Sequence, residues 1–233
     1  MDMTVERIGT TGGGARPRGA ARAEGRGVRP RGVRGHVVRD PELAEARRRS
    51  ILLAAAVLFG EKGYEAATLD DIAQAVGITK GGIYHYFLSK EDIFYEIRVT
   101  AIKDALTRLE DILAQGHPPA EALRLAVSDL VSHVLDSPLE RHANVLRTPP
   151  SLGRRKRQAI RQLQRRYEAA IQHLIAQGVE RGELVARDAK LAAFTLLRSA
   201  LGVATWYREG GPWSRDLIVA QVTDQIMEGL VRR

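Results

Sequence analysis

The chemistry of this chain is concentrated between residues 68 and 90, in TLDDIAQAVGITKGGIYHYFLSK. Lys80, Tyr84 and His85 bring a cation, a phenol and an imidazole close together beside Gly81 and Gly82. These are groups that bond to phosphate oxygens and base edges, and the glycines let a backbone approach another molecule closely. The flanking residues supply the elements to hold them. Thr68 is a good N-cap, and Asp70 and Asp71 suit the positive end of a helix. Leu69, Ile72, Ala73 and Val76 recur at helical spacing and bury one stripe. Gly77 allows a left-handed turn, Ile78 drops into the core, and a second helix starts at Thr79. Ile83 and Phe87 then face inward, leaving Lys80, Gly81, Gly82, Tyr84 and His85 outside. The pattern predicts a helix-turn-helix presenting one face to a major groove.

A third helix precedes it. In RRRSILLAAAVLFGEKGYEAA, Leu52, Ala55, Ala56 and Phe59 form an apolar face, and Arg47, Arg48 and Arg49 crowd what reads as the helix start. Cations there oppose the helix dipole, so a nearby phosphate backbone is expected to favour them. From about Arg47 to Phe94 the chain resembles the TetR family of bacterial transcriptional regulators. The resemblance is carried by Gly63-Tyr64, by Thr68 with Ile72-Ala73, by Gly77-Ile78-Thr79, by Gly81 with Ile83-Tyr84 and Tyr86-Phe87, and by Ser89-Lys90-Glu91 with Ile93. It implies that Thr79, Lys80, Gly81, Gly82, Tyr84, His85 and Tyr86 face DNA. Arg47, Arg48, Thr68 and Lys90 would hold phosphates, which position the protein without reading sequence.

Composition bounds the rest. A chain of 233 residues with 44% hydrophobic content suits one or two compact domains. The net charge of +8 is mostly local: residues 1 to 39 hold nine arginines against three acids, leaving +2 for residues 40 to 233. With no cysteine, disulfides, thiolate metal sites and thiol redox sensing are excluded, and a cytoplasmic location is expected. No apolar run approaches the roughly 20 residues of a membrane span, so no membrane partner is expected. Six histidines at 36, 85, 117, 133, 142 and 173 have no metal-ligand spacing, and neither metal nor cofactor is expected. Nucleophile-elbow, phosphate-loop and HExxH motifs are missing, which argues against an enzyme. A basic architectural protein coating DNA is the other rival, and the near-neutral body argues against it.

Residues 1–40 are Gly- and Arg-rich without apolar periodicity and read as a disordered tail: a solvated tail or an over-long translated start on the plain reading, an arm adding phosphate affinity on the functional one. From Ser89 onward the pattern is helical throughout. A long helix carries Ile102, Ala105, Leu106, Leu109 and Leu113, and further helices are expected near 119–135, 138–147, 154–181, 188–208 and 214–231. Breaks fall at Pro149-Pro150, Gly182 and Gly210-Gly211-Pro212. The expectation is an all-α fold of about nine helices: a helix-turn-helix DNA-binding domain over 41–90 and an effector-binding and dimerisation domain over 91–233.

The C-terminal half resembles TetR regulators that sense acyl-coenzyme A thioesters, through Gly178 and Gly182, Trp206-Tyr207-Arg208, Gly210-Gly211 and Gly229-Leu230. That resemblance implies a homodimer whose last two helices pair. Phe194, Leu197 and Leu201 on one helix, with Val219, Val222, Ile226 and Leu230 on the other, offer the seams. It also implies a small-molecule effector, with Arg154, Arg155 and Arg157 as candidate phosphate partners and Trp206 and Tyr207 as candidate ligand contacts. The plainer readings are a solvated helix face for the basic run Arg154–Arg166 and core or interface packing for the two aromatics. A sensor of uncharged lipophiles is the alternative within the family. Either way, two heads would read a palindromic double-stranded operator in successive major grooves, about 34–36 Å apart.

Overall fold

The computed structural model describes residues 41–230, and the tail expected over residues 1–40 lies outside them. The described residues form an all-α fold of nine helices: α1 Pro41–Lys62, α2 Leu69–Ala75, α3 Lys80–Tyr84, α4 Lys90–Ala114, α5 Pro119–Asp136, α6 Pro138–Val145, α7 Arg154–Glu180, α8 Ala189–Trp206 and α9 Arg215–Glu228. Side-chain oxygens of Thr68, Thr79, Ser89, Ser137, Asp188 and Ser214 accept first-turn N–H bonds at six helix starts. Each satisfies a donor that the helix itself cannot.

Two apolar cores organise these helices. One gathers Ile51, Ala55 and Phe59 of α1 with Ile72, Ile83, Phe87 and the first turns of α4, Ile93, Phe94 and Ile97. Phe59, Tyr64 and Phe94 meet ring to ring there, with Tyr64 at 5.1 and 5.4 Å from the other two. The second core joins the later turns of α4 to α5, α7, α8 and α9 through residues such as Leu109, Leu123, Ile171 and Ala200.

Helix α4 therefore belongs to both cores. The boundary expected at residues 90 and 91 falls on its first turn, and no linker separates the three-helix head from the rest. Helix α6 also touches the head. A Cβ placed on Gly60 of α1 would lie 2.7 Å from His142 Nδ1, so the two helices pack closely at that point.

Helix α1 begins at Pro41, with Glu42 in its first turn. Arg47 and Arg48 are thus more than one turn inside it, and the dipole argument for a phosphate beside them does not apply.

Candidate nucleic-acid interface and effector cavity

Thr68 and Asp71 form a reciprocal capping box at the start of α2: Asp71 N donates to Thr68 Oγ1 at 3.1 Å, and Thr68 N donates to Asp71 Oδ2 at 2.9 Å. The Thr68 hydroxyl also donates to that carboxylate at 2.7 Å. Together with Lys62, these bonds hold the Asp71 carboxyl down at about 2. Gly77 takes φ +69°, the left-handed turn between α2 and α3. Thr79 Oγ1 then caps α3 by accepting from Gly82 N at 3.1 Å.

Burial of Ile83 and Phe87 fixes which side of α3 is free. Thr79, Lys80, Gly81, Tyr84 and His85 are exposed, while Gly82 and Tyr86 are half-buried. Tyr84 keeps 48% of its surface open. Lys80 reaches back to Asp70 at 2.7 Å, and that hydrogen bond pushes its pKa up. A Cβ on Gly81 would meet only Thr79 Oγ1, at 3.7 Å. The protein's own packing therefore does not require glycine there.

Three expected phosphate contacts are engaged inside the fold. Lys90 Nζ donates to the carbonyls of Tyr64, Glu65 and Ala67 at 2.7, 3.2 and 3.0 Å and stands 4.4 Å over the Tyr64 ring. All three ammonium protons have acceptors, and the side chain ties α4 to the α1–α2 loop. Arg48 pairs with Glu96, donates to the Tyr86 carbonyl at 3.0 Å and stacks 4.4 Å over Phe87. Arg47 donates to the Val76 carbonyl at 3.2 Å from an exposed position.

The second feature is a cavity of about 330 Å³ bounded by α4, α5, α6, α7 and α8. Ile102, Ala105, Leu130 and Leu201 give it apolar walls, and Arg98, Asn144, Gln164 and Arg198 are among its polar groups. Tyr167 also lines it, and burial pushes that phenol's pKa upward. Glu140, almost fully buried, is held bidentate by Arg108 at 3.0 and 3.1 Å. Sequence reasoning missed Arg98, although a signal existed. Stepping back one turn along the stripe of Ile102, Ala105 and Leu109 lands on this arginine, a charge in an apolar row.

The structure does not bring Arg154, Arg155 and Arg157 to this cavity. They open α7, and Arg154 lies ten residues before Gln164, about 15 Å of helix rise away. Arg157 donates to the carbonyls of Pro150 and Leu152, and the intervening Lys156 pairs with Asp92 of α4 at 2.6 Å. Trp206 and Tyr207 do not line the cavity either: Tyr207 lies under the Arg141 guanidinium, and Trp206 packs edge-on to Trp213 at 6.3 Å.

The seam expected on α8 divides between two faces. Phe194, Leu197 and Leu201 line the cavity, and Leu197 is buried. A different α8 face, with Leu191, Ala192 and Trp206, joins Val222, Ile226 and Leu230 around an open groove of about 650 Å³. Val219 packs half-buried against the body's own core.

A helix-turn-helix on an all-α body is also what comparisons with known proteins return. The model for bacterial regulatory proteins of the tetR family matches residues 51–97, and that for the tetracyclin repressor-like C-terminal domain matches residues 116–230. The HTH-type transcriptional repressor KstR2 of Rhodococcus jostii is 29% identical over 82% of this chain and 94% of its own. A TetR/AcrR family regulator from Thermobifida fusca is 36% identical, covering 81% of this chain and all of that one, with a TM-score of 0.61. The TetR family regulator PfmR of Thermus thermophilus is 33% identical over 78% of this chain and 99% of that one, with a TM-score of 0.67. Both ends of the described chain thus match one family over most of its length, and the protein belongs to the TetR family of DNA-binding transcriptional regulators.

Proposed function

We propose that this protein is a homodimeric repressor that holds a palindromic operator until a small molecule enters the cavity of its helical body. One observation carries the reading: the exposed edge of α3, Thr79, Lys80, Gly81, Tyr84 and His85, sits on a core-locked helix-turn-helix that shares α4 with the cavity wall. Gly81 supports it further, because a residue without a side chain that its own fold does not demand suits close approach by DNA. Tyr86 and Gly82, half-buried behind that edge, back it. Thr68 contributes through its cap, with its hydroxyl already engaged by Asp71.

The dimer uses the open α8/α9 groove, where Leu191 is 64% and Trp206 47% exposed beside Val222, Ile226 and Leu230. An isologous contact there buries apolar surface that a single chain leaves in water.

For the effector, an acyl-coenzyme A thioester finds a place for its acyl part between Ile102, Leu130 and Leu201, but not for its phosphates on Arg154, Arg155 and Arg157. The cavity itself accordingly takes the apolar body of the ligand, with no phosphate site on those three arginines. A lipophile sensor is the second reading, favoured by the apolar walls. Gel-shift titration against DNA from upstream of the gene and against random DNA tests the regulator. Equal affinity for both would replace it with a sequence-independent DNA-coating role.

A further inference from the structure

The cavity carries two arginines that form no ion pair among the described residues. Arg98 projects from α4 into its wall; its Nη1 donates to the Ala143 carbonyl on α6, and its Nε is buried with no hydrogen-bond partner. Arg198 of α8 lines the same space, and the charge acting on Arg98 is this second cation. Burial first, and Arg198 next, push the Arg98 pKa below its ordinary value. The cavity's carboxylates do not relieve them. Glu140 is already clamped by Arg108, and Glu168 on α7 makes no ion pair with either arginine.

A guanidinium held largely out of water without a counter-charge is costly, and a like charge beside it adds to the cost. An anion entering between the two arginines removes both penalties and gains charge-assisted, fork-shaped hydrogen bonds. Ile102, Ala105, Leu130, Leu197 and Leu201 supply an apolar wall beside them, and the volume is near the lower end of the roughly 300–1,000 Å³ range for small-molecule sites. We infer that the cavity binds an amphipathic organic acid, a modest apolar body bearing one carboxylate, with the carboxylate lying between the Arg98 and Arg198 guanidinium groups.

This rests on the reading of the cavity as the effector site and names the ligand class for it. It also supplies a lever. An anion that draws Arg98 toward itself competes with the bond to Ala143 on α6, the helix whose His142 meets Gly60 of α1. Entry of ligand is thereby felt by the DNA-reading head.

The test uses two fluorescent probes of one skeleton, anilinonaphthalene sulfonate, an anion, and phenylnaphthylamine, which is neutral, titrated into the full-length protein. The anion is expected to bind about tenfold or more tightly than the neutral probe. Arg98→Gln and Arg198→Gln should each erase most of that preference while leaving the neutral probe's affinity unchanged. Arg198 is exposed, so its variant remains informative if Arg98→Gln lowers the melting temperature. Decanoate should displace the anionic probe, and methyl decanoate should not. Gly202→Leu, whose Cβ starts in open space at the cavity wall, should block both probes.

Equal affinities for the two probes, indifferent to either arginine, would overturn the inference and leave a cavity for neutral lipophiles. Displacement by decanoyl-coenzyme A with decanoate inert would overturn it in favour of the thioester. Binding of both probes unaffected by Gly202→Leu would place them elsewhere and refute the cavity as the effector site altogether.

Discussion

Replacing Lys90 with alanine separates a phosphate contact from a structural tie. Its ammonium donates to three carbonyls of the α1–α2 loop, two of them part-buried, at Tyr64 and Ala67. A hydrogen bond from a charged group contributes about 1.5–3 kcal/mol, and an orphaned buried carbonyl adds a penalty of its own. Counting only the two part-buried bonds and discounting for water access gives about 3 kcal/mol for Lys90→Ala. At roughly 2–4 °C per kcal/mol for a chain of this size, the melting midpoint falls by about 6–12 °C in the absence of DNA. Lys90→Met, which keeps the aliphatic stem, should lose nearly as much, because the missing group is the ammonium. Differential scanning calorimetry without DNA reads the stability, and gel shifts across a salt series read the phosphate contact. An unchanged midpoint with the salt slope reduced by about one would refute the structural role and restore Lys90 as a phosphate ligand.

Tyr84→Ala or His85→Ala should weaken operator binding about tenfold or more with helicity and oligomeric state intact, and unchanged gel shifts would remove that edge from the interface. Gly178→Ala places a Cβ 2.5 Å from Leu184 Cδ1 in the body's core, so thermal melts should show a loss of about 1–3 kcal/mol from overpacking. Asp71, depressed to about 2 from 3.8, contributes stability that is complete above its unfolded value and lost as pH falls through the folded one. Urea midpoints of Asp71→Asn should therefore lie below the parent's at neutral pH and converge with them toward pH 2; a constant gap would show that charge is not involved. Leu191→Asp at the exposed groove should convert dimer to monomer in sedimentation runs without lowering the melting midpoint of the monomer, whereas Leu197→Asp should unfold the chain.

The helix-turn-helix was legible because its constraints are local. A cap at Thr68 and a left-handed glycine at 77 each act within a few residues and appear in the structure as the sequence predicts, and the second helix, expected to start at Thr79, starts at Lys80 with Thr79 as its cap. What sequence could not resolve was which partner a long side chain finds across the fold. Lys90 lies 23 to 26 residues from the carbonyls it bonds, and Arg48 is 48 residues from Glu96. Both look free for phosphate until the tertiary contacts are known. Helix α8 defeats periodicity for another reason. It is apolar on more than one face, so Leu197 and Leu191 look equivalent in a helical pattern, yet one is buried beside the cavity and the other is exposed on the groove.

Position along α4 is what joins the two halves of the proposed mechanism. Its first turn is fastened to the head by Lys90 and to α7 by Asp92; two turns on, Glu96 holds Arg48 of α1 while Ile93 and Ile97 fill the head's core. Arg98, Ala101, Ile102 and Ala105 then face the cavity, and Arg108 beyond them binds Glu140 of α6. A helix is stiff over this length, and close-packed cores transmit displacement instead of absorbing it. Ligand that shifts the Arg98 turn must also move either the Arg48–Glu96 pair or the Lys90 tie, and both determine how α1 and the α1–α2 loop support α2 and α3. Release from an operator needs a coupling of only about 1–3 kcal/mol between the sites, of the order of one such charged hydrogen bond. The lever is therefore short: the cavity's Arg98 and the ties that support the head, Lys90 and Glu96, lie on one helix less than three turns apart.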